Sequence, residues 1–313
     1  MDFIDQQTID RALPFAGLVD ALQQAFASDI ETPLRNHYDI PNPQSSRETT
    51  LLMMPSWQAG SDIGIKLVTV TPESYKYDLP SIQGTYVLFD AVRGCVKATM
   101  DAPALTAKRT AAASALASRF MSRPDSRKLL MVGTGTLSSQ LIRAHASVRP
   151  IEEVIIWGRS PDKAQAIAEL ESLAEFNISV TEDLAEAVAE VDIISVATMS
   201  KEPLIMGDWL KAGQHLDLVG AYRPDMREAD DECIRRSRIV VDNYAGACKE
   251  TGDIATPIAD GILKKEDLCA DLFELCRKEK HFLRSADDIT LFKSVGHALE
   301  DLAAAQLVVK SLA

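Results

Sequence analysis

Gly133, Thr134, Gly135, Thr136 and Leu137 lie between a short apolar run, Leu129 to Val132, and a segment with helical spacing from about Leu137 to Val148. In a strand, turn and helix unit of this kind, the first glycine permits the tight turn and the second lets backbone approach a pyrophosphate. The charge of that group then meets the positive N-terminus of the helix. The chemistry implied is dinucleotide binding. Ser138 stands where the pattern has its third glycine and is small enough for close packing. A second apolar run, Val154 to Trp157, falls where the neighbouring parallel strand belongs, and that context argues against an ordinary βα turn.

The end of the second strand bears on the choice of cofactor. An acidic residue there binds the ribose hydroxyls of NAD(H) and would repel a 2′-phosphate, but here the stretch is Gly158, Arg159, Ser160. Arg159 can pair with a phosphate and Ser160 can donate a hydrogen bond, so NADP(H) is favoured over NAD(H). The plainer alternative is a solvent-exposed bridge from Arg159 to Asp162 on the next helix. Ala197 and Thr198, at the end of a later apolar strand, are placed with the cofactor-binding residues.

Three cations stand out earlier in the chain. Lys66 is embedded in Ile63, Gly64, Ile65, Leu67 and Val68, Arg109 sits on an alanine-rich helix, and Arg35 follows Pro33 in a loop. Brought together by the fold, they would clamp a substrate carboxylate, with arginine supplying bidentate geometry. Taken singly, each reads as a surface cation.

The elements that must position these residues follow from periodicity. Ile9, Leu13, Leu18, Leu22 and Phe26 are spaced for one face of a helix over residues 8–28. Strand signals follow at Thr50 to Met54, Ile63 to Val70, Gly84 to Phe89 and Cys95 to Met100, which predicts an antiparallel or mixed sheet. Pro103 opens a long helix to about Met121, and the polar stretch Ser122 to Arg127 reads as a linker. Beyond the glycine turn, strands at Ile178 to Thr181, Val191 to Ala197, His215 to Val219 and Arg238 to Val241 alternate with helices centred near Ala166, Leu184, Trp209 and Cys233. That alternation predicts a doubly wound parallel sheet. A final helix, Val295 to Leu312, needs a surface to cover, and a return to the first domain would make that domain discontinuous.

At 313 residues, with 46% hydrophobic and 25% charged content, the chain has the composition of a two-domain globular protein. A net charge of −13 argues against nucleic acid as the main partner. No apolar stretch reaches the roughly 18 to 20 residues of a membrane span, and the N-terminus has no basic leader. Cys95, Cys233, Cys248, Cys269 and Cys276 contain no CxxC pair and read as reduced thiols of a cytoplasmic protein. The five histidines lack metal-ligand spacing, so no metal is expected.

Several blocks together resemble the ornithine cyclodeaminase and mu-crystallin family. They are Gly64 to Val68, Asp101 to Ala112, the glycine turn with Ser139 and Gln140, Val219 to Glu228, Lys249 to Asp253, and Leu291 to Gly296. They run in order along nearly the whole chain. The resemblance implies a homodimer whose substrate-binding and dimerisation domain comes from residues 1–124 and 294–313, with an NAD(P)-binding Rossmann domain over 125–293. By that resemblance Arg35, Lys66 and Arg109 hold the substrate carboxylate, Arg109 also lying near the cofactor. Thr134 to Leu137 match the pyrophosphate turn, Gly158 to Ser160 the ribose end, and Ser294, Val295 and Gly296 the segment beside the nicotinamide.

The departures from the family pattern point to a particular branch. The cyclodeaminases carry a catalytic Asp where this chain has Tyr222, and a Glu where it has Leu52 and Met53. The version here is closer to the ketimine reductases. The expectation is an NAD(P)H-dependent reductase of small cyclic imino acids that yields L-amino acids, with Lys66 and Arg109 as catalytic residues. Ornithine cyclodeamination, alanine dehydrogenation, and a non-catalytic ligand-binding role like that of some crystallin relatives are the alternatives.

Overall fold

The computed structural model describes residues 3–45 and 48–313. After β1 (Phe3–Ile4), Asp5 caps α1 (Gln6–Ala12) by accepting the Thr8 N–H at 2.9 Å. The expected single helix over residues 8–28 is in fact two, α1 and α2 (Phe15–Ala27). Pro14 lies between them with extended torsions, because it lacks the N–H that would continue the first helix. The apolar face survives the break, and Ile9, Leu13, Leu18, Leu22 and Phe26 are all fully buried.

The next strands are β2 (Asn36–Ile40), β3 (Thr49–Trp57), β4 (Asp62–Val70), β5 (Ile82–Asp90) and β6 (Val96–Asp101). They form a six-stranded mixed sheet in the order β1-β6-β5-β4-β3-β2, antiparallel except for the parallel pair β1 and β6. β2 is exposed along its whole length, so no buried alternation marked it in the sequence. On β4 the inward positions Asp62, Gly64 and Lys66 alternate with partly exposed neighbours, which puts a lysine on the covered face. The helix α3 (Ala102–Met121) then runs from Asp101, whose carboxylate accepts the Ala104 N–H at 2.8 Å.

The remaining strands are β7 (Lys128–Val132), β8 (Glu153–Trp157), β9 (Asn177–Thr181), β10 (Ile193–Val196), β11 (His215–Leu218), β12 (Ser237–Val241), β13 (Ala270–Asp271) and β14 (Ile289–Lys293). They build an eight-stranded, all-parallel sheet in the order β13-β12-β14-β11-β10-β7-β8-β9. Helices α4 (Ser138–Ala146), α5 (Pro161–Ala168), α6 (Leu184–Glu190), α7 (Asp231–Arg236), α8 (Tyr244–Glu250), α9 (Gly252–Ala259) and α10 (Leu272–Cys276) connect its strands. Near Trp209 the expected helix is only a short 3-10 turn over Gly207–Trp209. β14, which the strand reading missed, lies between β11 and β12, and all five of its residues are buried. The strand order reverses at β7, between β8 and β10, and such a switch point opens the crevice where ligands bind in doubly wound sheets.

The last helix, α11 (Ala298–Leu312), begins three residues later than the apolar spacing suggests. Gly296 has φ +81°, a left-handed conformation no helix accommodates, and His297 caps α11 by accepting the Leu299 N–H. α11 packs on α2 and crosses β3, β4 and β5. The chain divides into two compact units. One ends at Arg109 and resumes at His297, and the other is Thr110–Gly296. The first division therefore falls inside α3 rather than in the polar stretch Ser122 to Arg127, because the alanine-rich second half of the helix is buried with the parallel-sheet unit.

Candidate functional site

In the mixed-sheet unit the side chains of Lys66 and Arg109 meet around one carboxylate. Lys66 Nζ lies 2.8 Å from Asp301 Oδ2 and 3.3 Å from Thr106 Oγ1, while Arg109 Nε donates to Asp301 Oδ1 at 2.9 Å and Arg109 Nη1 to Glu300 Oε2 at 2.7 Å. All four charged side chains are buried. Two cations and two anions leave the cluster formally neutral, and a charge in this low-dielectric setting stays ionised only through such pairing.

The ionisations follow from that arrangement. Burial lowers Lys66 to about 8, an effect Asp301 opposes and Arg109 adds to. Burial works against the charge on Arg109, but Asp301 and Glu300 outweigh it and raise its pKa. Burial likewise disfavours the Asp301 anion, yet Arg109 and Lys66 keep it below the ordinary carboxylate value. His297, beside the pair in sequence, is lowered to about 4 by burial and then by Arg109, with Arg35 contributing. Its Nε2 is 3.2 Å from Thr32 Oγ1.

Lys66 and Arg109 thus meet at Asp301, while Arg35, half-buried just before β2, is tied to the cluster through its field at His297. The cluster's own acids, Glu300 and Asp301, were not singled out from the sequence. Their signal was there to read. Two adjacent acids sit in the first turn of an otherwise apolar helix, a place where the dipole favours anions but solvent is absent.

In the parallel-sheet unit the glycine turn joins β7 to α4 at the switch point. Gly133 has φ +124°, and a Cβ there would lie 2.4 Å from the Ala197 carbonyl oxygen, so the close approach of the chain just beyond the paired strands β7 and β10 requires glycine. The Gly133 N–H donates to the Trp157 carbonyl at 2.9 Å, and a Cβ at Gly158 would lie 2.5 Å from Thr134 Cγ2. Around Gly135, by contrast, a Cβ would meet nothing within 4 Å. Leu137 precedes α4 without a side-chain cap. An open glycine and an uncapped helix start fit a pyrophosphate, whose oxygens accept backbone N–H groups. Arg159 is exposed, and among the described residues it makes no bridge to Asp162. Ser160 is the N-cap position of α5.

Three buried carboxylates, Glu228, Asp253 and Asp242, brace the same end of the sheet. Glu228 Oε1 accepts Thr198 N–H at 2.7 Å and the Thr198 hydroxyl at 2.9 Å, and Oε2 accepts Gly220 N–H at 2.7 Å and Ala221 N–H at 3.2 Å. Lys293 Nζ stands 2.9 Å from Asp253 and 3.7 Å from Glu228. Burial, with Asp253 adding, raises Glu228 to about 7. Asp242 accepts the N–H groups of Val295 and Gly296, both at 2.7 Å, and so fixes the segment Ser294 to Gly296. Glu228 and Asp253 close two of the sequence blocks that carried the resemblance, although composition and spacing assigned none of these acids a role. Tyr222, where the cyclodeaminases have their acid, is half exposed.

Among the described residues no group of three or more His, Cys, Asp or Glu is placed to hold a metal ion, and no helix is long and apolar enough to cross a membrane.

A parallel sheet with a glycine turn at its switch point, joined to a mixed-sheet unit with a buried cation pair, defines a two-unit dinucleotide-binding oxidoreductase scaffold. The chain belongs to the ornithine cyclodeaminase/mu-crystallin family, whose model matches residues 3–313. The Δ1-pyrroline-2-carboxylate reductase of Colwellia psychrerythraea is 37% identical over 318 residues, covering 100% of both chains. The ketimine reductase mu-crystallin of Rattus norvegicus is 36% identical, over 86% of this chain and 82% of its own. Among solved structures, the Δ1-pyrroline-2-carboxylate reductase of Thermococcus litoralis in complex with NADH and L-proline superposes with a TM-score of 0.91 at 30% identity, over 99% of this chain and 97% of that one.

Proposed function

We propose that this protein is an NAD(P)H-dependent reductase of small cyclic imino acids of the Δ1-pyrroline-2-carboxylate type, acting as a cytoplasmic homodimer. The observation that carries the reading is the convergence of Lys66 and Arg109 on Asp301 in a chain that also has a pyrophosphate turn. When bound, the nicotinamide supplies a hydride to C2 of the imine.

The chain's own residues have three tasks. The first is to fix the substrate carboxylate. The acids occupy Nε and Nη1 of Arg109, Asp301 and Thr106 between them take two of the three ammonium donors of Lys66, and the donors that remain are the ones assigned to the substrate, together with Arg35. The second is to manage the proton. With a pKa near 8, Lys66 is charged at neutral pH yet acidic enough to give a proton to the nitrogen as the C=N bond is reduced, taking one back from solvent afterwards. The third is to hold the cofactor through Gly133, Thr134, Gly135, Thr136 and Leu137, with Ala197, Thr198 and Ser294 to Gly296 at the nicotinamide end. Gly158, Arg159 and Ser160 serve the ribose end, where the exposed guanidinium of Arg159 favours NADP(H) over NAD(H).

The test is an NADPH-oxidation screen over Δ1-pyrroline-2-carboxylate, Δ1-piperideine-2-carboxylate and pyruvate with ammonia, alongside an ornithine assay for proline. Turnover of the cyclic imines with little from the others is the expected result. Proline formed from ornithine would overturn the reading in favour of cyclodeamination, and preference for pyruvate with ammonia would favour alanine dehydrogenation. Tight cofactor binding without turnover would favour a ligand-binding role, and a monomer by light scattering would remove the homodimer.

A further inference from the structure

We propose that Asp301 is a positioning residue for this reaction, holding the Lys66 ammonium and the Arg109 guanidinium as one preset pair that receives the substrate carboxylate, and keeping that ammonium charged. The inference rests on the reading of Lys66 and Arg109 given above. Each oxygen of Asp301 takes one cation, Oδ2 facing Lys66 at 2.8 Å and Oδ1 facing Arg109 at 2.9 Å. The two cations arrive on different elements, β4 and α3, and without an anion between them they would repel each other in a dry interior.

The mount of Asp301 is rigid. Ser56 on β3 donates to the carbonyl of Ala298 at 3.0 Å, tying the start of α11 to the sheet. A Cβ at Gly64 would fall 1.7 Å from the Tyr86 hydroxyl and 3.1 Å from Leu302, so glycine on β4 is what allows α11 and Tyr86 to close over the site. The charged and titratable groups around Lys66 are few. They are Asp301 and Glu300 from α11 and Arg109 from α3, with Tyr86 from β5 facing Asp301 and His297, itself beside Arg35 and Arg109, capping α11. Of these, Asp301 has the greatest power to favour the charged ammonium. A carboxylate substrate entering a net-neutral cluster then finds both cations already spaced, so less ordering remains to be done on binding.

Asp301→Asn, Asp301→Glu, Lys66→Met and Arg109→Met test this with two readouts. One is the pH profile of kcat and KM for Δ1-pyrroline-2-carboxylate. The other is calorimetric binding of pyrrole-2-carboxylate, a planar anionic probe, to protein without cofactor. In Asp301→Asn the alkaline limb, near pH 8 in the parent, is expected to move down by about one unit or more, with KM raised and probe affinity lowered at least about tenfold. A merely structural role would reduce the yield of folded protein without moving the limb. Asp301→Glu keeps the charge but displaces it, so its limb should stay near the parent's while KM rises about fivefold or more. It alone decides the matter if Asp301→Asn does not fold. A parent-like limb and KM in Asp301→Asn, or a parent-like KM in Asp301→Glu if only that variant folds, overturns the proposal. If Lys66→Met and Arg109→Met stay active, the clamp reading itself has failed. If they lose activity while the Asp301 variants behave as the parent, only the role of Asp301 has failed.

Discussion

The hydroxyl of Ser138 donates to the carbonyl of Gly133 at 2.9 Å. The residue in the place of the motif's third glycine therefore clips the turn shut on the first glycine from the start of α4, and a buried acceptor that the turn would otherwise leave unpaired is satisfied. Ser138→Ala is expected to lower stability by about 1 to 2 kcal/mol in urea titration while NADPH affinity changes little. Gly133→Ala must find room 2.4 Å from a carbonyl oxygen at φ +124°, so it should abolish NADPH binding in a fluorescence titration. Parent-like cofactor affinity in Gly133→Ala would show that the turn does not hold the pyrophosphate.

Arg159 is exposed, and among the described residues no acid pairs with it to hold it back from a 2′-phosphate. Arg159→Ala is expected to weaken NADPH binding by about 1 to 3 kcal/mol, the worth of a charge-assisted bond, and to leave NADH nearly unchanged. Equal affinity of the unaltered protein for both cofactors would remove the basis for the preference.

Arg109 donates through Nε and Nη1 to two different acids. Lysine keeps the charge but cannot span both partners while meeting a substrate, so Arg109→Lys should lose at least about tenfold in kcat/KM on cyclic imines. Full activity in that variant on every imino acid assayed contradicts the clamp.

Two histidines are held in the neutral form, His297 lowered to about 4 and His215 to about 3, in both cases first by the loss of solvent around the ring. Between the unfolded histidine value, near 6.5, and these folded values, the unfolded chain binds protons that the native state refuses. Stability must therefore fall as pH drops through that window, by roughly 3 kcal/mol for His297 and somewhat more for His215. His297→Asn keeps an acceptor for the Leu299 N–H but cannot titrate, so its thermal midpoint should fall less steeply than the parent's between about pH 6.5 and pH 4. Parallel curves for parent and variant would mean that His297 is not the group being charged.

Local pattern was enough for much of this protein. The glycine turn, the apolar strands β7, β8 and β10, and the long α3 can be read from a few consecutive residues, because each depends on short-range periodicity or on a backbone conformation only glycine adopts. Pattern failed where short-range signals were weak or competing. β2 is polar and exposed, β14 takes its place between β11 and β12 through pairings distant in sequence, and one proline split a continuous apolar face into α1 and α2. The residue types of the site were equally visible, since Lys66 and Arg109 are conspicuous in apolar surroundings. What surrounds them was not. Asp301 lies 192 residues from Arg109 in the chain, and only the return of α11 across β3, β4 and β5 sets its carboxylate between the two cations. Sequence determined which charges exist and which elements carry them. The tertiary structure alone decided which charges share a dry interior, and with it their pairing, their ionisation and the chemistry open to them.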